Sequence, residues 1–162
     1  MSAGLESVVE LLKETETLRK IPLFAKLEPS KLKLLAFTSQ LLSYDDGEVL
    51  FHEGDLADCA FVVMDGEVEI LAQTASGDVV VGTLGKDELF GEIALLNNAP
   101  RSATLRARGR LQALRITDEM FLSLVTENPG VALEVMRQLS DKLARTHKQV
   151  EALQGELSRS GS

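Results

Sequence analysis

Between Leu41 and Ile116, short β-rich runs alternate with turn dipeptides, and that rhythm limits the folds open to the chain. The turn signals are Asp46-Gly47, Gly54-Asp55, Asp65-Gly66, Ser76-Gly77, Gly85-Lys86 and Arg108-Gly109. The runs between them cover residues 49–51, 61–64, 68–71, 79–81, 104–106 and 111–116. Regular spacing with this many turns predicts a β-barrel or jelly roll. Asp65-Gly66 between two apolar runs predicts a hairpin, and Gly109 predicts another. The alternation in Val68-Glu69-Ile70 suits a sheet with one solvated face.

Helical patterns flank this region. Leu5, Val8, Val9, Leu11 and Leu12 recur at helical spacing, which predicts an amphipathic helix over 5–19, interrupted by Pro22. Pro29 suits the first turn of a second helix with Leu32, Leu34, Leu35 and Phe37 on its apolar side. Thr117-Asp118 can cap a helix carrying Met120, Phe121, Leu124 and Val125, and Asn128-Pro129-Gly130 breaks it. A longer helix starts near Val131. Met136, Leu139, Leu143, Val150, Leu153 and Leu157 form a heptad seam along it, with Thr146 in the gap. Up to Leu143 that stripe is expected to pack on the chain's own barrel; beyond it the expectation is a homodimer. Gly155 foreshadows the helix end. The fold class expected is therefore α+β, an antiparallel β jelly-roll barrel with N-terminal helices and a long C-terminal helix. Its parts are a helical lead-in over 1–40, the roll over 41–117, C-terminal helices over 118–157 and a tail over 158–162.

Seventeen basic against 25 acidic residues give a net charge of −8, which disfavours general nucleic-acid binding. Arg106, Arg108, Arg110 and Arg115 form a local basic patch that strand alternation explains as a solvated face. Cys59 is the only cysteine, so no intrachain disulfide forms and a reducing compartment is the simpler setting. The first residues lack a signal-peptide pattern, and no apolar run reaches the 18 or so residues of a membrane span. A cytoplasmic location and no membrane partner are the expectation.

The most informative chemistry lies at Phe90-Gly91-Glu92-Ile93-Ala94-Leu95-Leu96 and Pro100-Arg101-Ser102-Ala103-Thr104. Leu89-Phe90 can end a buried strand. Gly91 lacks a Cβ, so the backbone can approach a ligand. Residues 92–97 can form one or two helical turns whose free N–H groups favour an anion. Arg101 offers a guanidinium fork to phosphate oxygens, and Ser102 adds a hydroxyl donor. Glu92 would repel a bare phosphate, but an ionised carboxylate accepts a hydrogen bond from a sugar hydroxyl. One arginine and one helix end balance a single negative charge, which points to a phosphodiester monoanion joined to a sugar. Taken singly, the same residues also admit plain roles: Gly91 as a turn residue, Glu92 as a first-turn acid and Arg101 as a surface ion pair.

Taken in order, these residues resemble the phosphate-binding cassette of the cyclic nucleotide-binding domain family, found in catabolite activator proteins, kinase regulatory subunits and gated channels. The family pattern, F-G-E-[IL]-A-L followed by P-R-[SAT]-A-T, is met from Phe90 to Leu95 and from Pro100 to Thr104. The likeness extends more loosely from about Ile21 to Val150. It implies that Arg101 and Ser102, with the amides of Gly91, Glu92, Ile93 and Ala94, hold a cyclic phosphate, and that Glu92 holds the ribose 2′-OH. Val81, with Val79 and Thr83, would touch the base. Ser102 favours cyclic AMP over cyclic GMP by a small margin. In the activators a Thr-Ser pair on the long helix meets the adenine, and here Val150-Glu151 stands in its place. The expectation is that ligand draws the cassette inward and repositions the helices after Thr117, the long helix capping the base or re-registering across a dimer, with the signal passing to an effector protein the sequence does not name or through a longer parent chain.

Two other readings remain. One is a jelly-roll interaction module with an empty pocket, paired through its long helix. The other is a jelly-roll enzyme, which the sequence disfavours. His52, His147 and Cys59 lie in different elements without metal-ligand spacing, and no P-loop or Mg²⁺-binding carboxylate cluster is present. No cofactor or metal is expected, and no DNA-reading module fits after Leu157.

Overall fold

The computed structural model describes residues 14–160. Residues 14–19 are helical (α1), and the rest of the helix expected over 5–19 lies outside the described residues. A 3₁₀ turn, Pro22–Phe24, leads to α2 (Pro29–Thr38), which has Pro29 in its first turn. The strands are β1 (Gln40–Tyr44), β2 (Val49–Phe51), β3 (Cys59–Thr74), β4 (Gly77–Leu84), β5 (Leu89–Phe90) and β6 (Thr104–Thr117). The short α3 (Glu92–Asn97) lies between β5 and β6; α4 (Asp118–Glu127) and α5 (Pro129–Ser160) follow. Thr117 caps α4, its hydroxyl accepting from the Met120 amide at 3.3 Å.

All strand pairs are antiparallel, in the order β1-β6-β3-β4, with β2 also on β6 and β5 also on β3. This is the jelly roll expected, built on two long strands. Cys59–Val63 pair with residues 113–117 of β6, and Glu67–Leu71 pair with residues 104–108. The hairpins expected at Asp65-Gly66 and Gly109 are absent, because both strands run straight through those points. The register shifts there instead, and the extra residues form bulges that bend each strand from one half of the roll into the other. The physical reason is that both glycines take positive φ, +98° at Gly66 and +69° at Gly109, inside a ladder that β3 and β6 close against each other. The turn at Ser76-Gly77 is a true hairpin, joining β3 to β4 at the Thr74–Gly77 pair.

Strand period explains why residues 61–64 read as an unbroken apolar run. Cys59, Phe61 and Val63 point into the roll, joining Val68, Leu84, Phe90, Leu105 and Leu111. Ala60 and Val62 point the other way, into a second core with Leu18, Phe24, Leu32, Leu35, Phe121, Leu124, Val131 and Val135. Leu89 and Phe90 divide in the same way, one to each core. Each fully buried side chain of this size contributes roughly 1.5–3 kcal/mol. The strand that carries the cassette is thus fixed from both faces.

Two helix expectations change. On α2, Leu32, Leu35 and Ala36 are buried, whereas Leu34 and Phe37 are exposed (52% and 79%), because α2 meets the barrel along one narrow line. On α5, Val131, Val135 and half-buried Leu139 pack against the domain. Met136 and Leu143, expected on the barrel, are 60% and 71% exposed because they lie roughly a quarter turn round the helix from the docked stripe of Val131, Val135 and Leu139. The basic patch is answered locally: Arg106 pairs with Glu69 (2.7 Å), Arg108 with Glu67 (3.7 Å) and Arg115 with Asp58 (3.1 Å).

The bulge at Gly66 is testable. A Cβ there would collide with the Arg110 carbonyl oxygen, so Gly66→Ala must shift backbone as well as hold a strained φ. The expected loss is about 1–3 kcal/mol, read as a lower urea midpoint with unchanged slope. Gly54→Ala has open space around it and should cost less. Equal midpoints for Gly66→Ala and the parent would contradict the bulge.

Candidate functional site

β5 ends at Phe90, whose ring stacks on Phe61 with centroids 5.0 Å apart. Gly91 then turns the chain with φ +78° and caps α3. The space a Cβ would occupy at Gly91 lies 2.8 Å from Arg101 Nη1. The glycine therefore makes room for the arginine itself, where the sequence suggested room for a ligand.

Arg101 is buried, with 4% of its surface exposed. Its backbone is pinned from both sides, the amide donating to the Asp55 carbonyl (2.9 Å) and the carbonyl accepting from the Gly54 amide (2.8 Å). Nη1 donates to the Gly91 carbonyl (2.7 Å) and Nη2 to the Cys59 carbonyl (2.6 Å). The guanidinium lies 4.1 Å over the Phe51 ring, a cation–π contact. Among the described residues no carboxylate pairs with it, and its Nε has no hydrogen-bond partner. A buried cation answered only by carbonyl dipoles, a neutral thiol and a ring is short of one anion. Neighbouring Thr104 has a structural task, its hydroxyl accepting from the Glu53 amide at 2.9 Å.

Glu92 is buried more deeply, at 1% exposure. Its Oε1 accepts from Lys142 Nζ on α5 (2.7 Å), and its Oε2 has no partner among the described residues. Lys142 also donates to the Leu89 carbonyl (2.6 Å). Gln138 Oε1 accepts from the Leu89 amide (2.8 Å), and Arg145 pairs with Glu88 (3.2 Å). One face of α5 is therefore tied to residues 88–92.

Arg101, Ser102, Gly91, Ile93 and Ala94 line a cavity of about 140 Å³, together with Phe51, Phe90 and Lys142. Glu92 does not line it, whereas Lys142, which donates to Glu92 Oε1, does. A wider cleft of about 540 Å³ shares Ile70, Leu84, Ile93 and Lys142 with the cavity and adds Val80, Val81, Thr83, Arg145 and Thr146. The inner cavity falls below the ~300 Å³ at which small-molecule sites begin, whereas the two spaces together exceed it. Val81 and Thr83 line the cleft and Val79 does not; a register shift between Ile70 and Leu71 brings Val80 to it beside Val81.

The Cys59 thiol, 3.5 Å from Arg101 Nη2, has its pKa raised, chiefly by burial and then by a hydrogen bond to Asp58; the Arg115 and Arg101 charges oppose this and the Asp58 charge adds to it. It stays protonated near neutral pH and is a poor nucleophile. Among the described residues no cluster of His, Cys, Asp or Glu could hold a metal ion, and no helix is long and apolar enough to cross a membrane. Sequence reasoning missed Phe51, Gln138 and Lys142. The polar residues Gln138, Lys142 and Arg145 recur at helical spacing beside the apolar stripe of α5, a signal that could have marked a second working face; Phe51 had none.

Comparison with known proteins identifies the family. Residues 41–128, just over half of the chain, match the family model described as the cyclic nucleotide-binding domain. The chain is 32% identical over 119 residues to a cAMP-dependent protein kinase regulatory subunit of Mycosarcoma maydis, covering 70% of this chain and 23% of that one. Among solved structures it is similar to the Thermus thermophilus catabolite activator protein, with TM-score 0.67 and 30% identity over 82% of this chain and 62% of that one. The regulatory domain of Toxoplasma gondii PKA, crystallised with cAMP, gives TM-score 0.61 and 27% identity over 70% of this chain and 44% of that one. The chain belongs to the cyclic nucleotide-binding domain family.

Proposed function

We propose that the chain is a sensor domain that reversibly binds a cyclic nucleoside monophosphate, cyclic AMP in preference to cyclic GMP, and reports occupancy through the position of α4 and α5. One observation carries this reading: a buried guanidinium that, among the described residues, has no carboxylate partner and no hydrogen-bond partner at Nε, at the wall of a cavity. A phosphodiester monoanion supplies the missing charge and accepts from Nε. Ser102 and the first amides of α3 surround the same cavity, and Glu92 stands behind it with an unanswered Oε2 ready for a ribose hydroxyl. The base would lie in the outer cleft against Val81 and Thr83. The chain spans only part of its relatives' length, so the effector is a separate partner or another part of a longer protein.

The exposed side of α5 supports a homodimer. Met136, Leu143 and Leu153 are 60–71% exposed on a helix that runs well past the domain. A free Cys59 fits a reducing, cytoplasmic setting.

Cyclic AMP at 100 times its dissociation constant should stabilise the fold by about 2.7 kcal/mol, seen as a rise in melting temperature. Arg101→Ala should weaken binding by about 100-fold, the loss of two charge-assisted hydrogen bonds at roughly 1.5 kcal/mol each. Lys at this position keeps the charge but not the fork, so Arg101→Lys should recover only part of it. Unchanged melting at millimolar cyclic AMP and cyclic GMP would favour the empty interaction module. For the dimer, sedimentation equilibrium should show the parent paired and Leu143→Glu monomeric. A parent that stays monomeric at high concentration contradicts pairing.

A further inference from the structure

The face of α2 turned away from the core is apolar where a merely solvated face would be polar. Leu34 and Phe37 are exposed there, and Leu41, near the start of β1, is 58% exposed. Exposed apolar residues scattered singly need no explanation, but three within eight residues of chain beside a cavity do. That cavity, about 210 Å³, lies where α1, α2 and β1 meet, and Leu18, Ala36, Leu41, Met64 and Leu114 line it. None of these residues lines the anion cavity or the cleft beside it.

The charge around this face runs against that of the chain. Residues 17–44 carry Arg19, Lys20, Lys26, Lys31 and Lys33 against Glu28 alone, a net charge of +4 in a chain whose total is −8. Of the two acids just before them, Glu16 pairs with Arg19 (3.6 Å) and Glu14 lines the cavity. Lys31 Nζ donates to Asn128 Oδ1 (2.9 Å), whereas among the described residues no carboxylate pairs with Lys20, Lys26 or Lys33. Lys33 is exposed and stands one helical turn from Phe37. We propose that this face docks an acidic segment of a partner protein, with one large apolar side chain of that segment in the cavity and its carboxylates against Lys33 and the neighbouring bases. The proposal stands apart from the binding reading above.

Shape and charge favour such a segment over two other occupants. A cavity walled by two strands and two helices takes a single side chain, as buried anchors at interfaces do, and an acyl surface laid over Phe37 would leave it unfilled. An anionic bilayer also meets the whole protein, whose net charge of −8 opposes the approach. A short acidic segment feels only the local positive field, within a Debye length of about 10 Å. A second copy meeting this face across a two-fold axis would set +4 against +4, and like charges facing one another suppress pairing.

The test is a random-peptide library displayed on phage, depleted on Phe37→Ala and then panned on the parent chain. Enriched peptides should carry a large apolar residue among Asp and Glu. Synthesised with a fluorescent label, they should bind the parent in anisotropy titrations and bind Phe37→Ala about 30-fold more weakly, the loss of one aromatic hot spot. Lys33→Glu should bind about tenfold more weakly, and that difference should shrink as salt is raised. Both positions are exposed, so both variants should melt with the parent in circular dichroism, and either alone suffices if the other does not fold. No enrichment on the parent, or peptides that bind both folded variants as well as the parent, overturns the proposal. So does a parent that yields no peptide but sediments with phosphatidylserine vesicles, which gives the face to a bilayer. A parent mass at sedimentation equilibrium that Phe37→Ala halves gives it to a second copy and overturns the acidic partner as well.

Discussion

A guanidinium can stay in an apolar interior only if its charge and its donors are answered, and residues far apart in the chain are arranged around that need at Arg101. Gly91 and Cys59 supply carbonyl oxygens, Phe51 supplies a ring face, and Gly54 and Asp55 hold the arginine's own backbone. None of these contacts neutralises the charge. The fold thus holds an arginine in a state that an anion would improve, and hydrogen bonds formed there are stronger than at a wet surface.

The two bent strands make that state possible. Cys59 opens β3 and Thr104 opens β6, and their pairing, with bulges at Gly66 and Gly109, carries both strands across the whole roll. Because residues 59–63 of β3 are buried on both faces, the Cys59 carbonyl cannot relax away from Arg101 without disturbing two cores at once. The cassette itself is light, a six-residue helix between a two-residue strand and a loop. Rigid walls around a small segment tied to a long helix suit a switch, since a ligand can shift only what differs between two states.

Much of this was legible in residue order. Turn dipeptides and short β-rich runs gave the roll, proline and threonine marked the starts of α2 and α4, and the 90–104 pattern drew attention to Arg101 and Glu92 together. Local chemistry misled where tertiary pairing decides: Asp65-Gly66 and Arg108-Gly109 read as hairpins because a positive-φ glycine serves a bulge as well as a turn. The faces of α5 were misjudged for a related reason. A heptad seam shows that a stripe is apolar but not which side meets the domain, and the side that docks carries Val131, Val135 and Leu139 beside the polar Gln138 and Lys142. Phe51 and Lys142 could not be tied to the cassette from sequence, since each reaches it only through the closure of the roll.

The most direct measurement is a crystal structure of the chain grown with cyclic AMP. It should show an exocyclic phosphate oxygen within hydrogen-bonding distance of Arg101 Nε and a ribose hydroxyl on Glu92. An arginine still answered only by the Cys59 and Gly91 carbonyls, with the nucleotide absent or bound elsewhere, would contradict it.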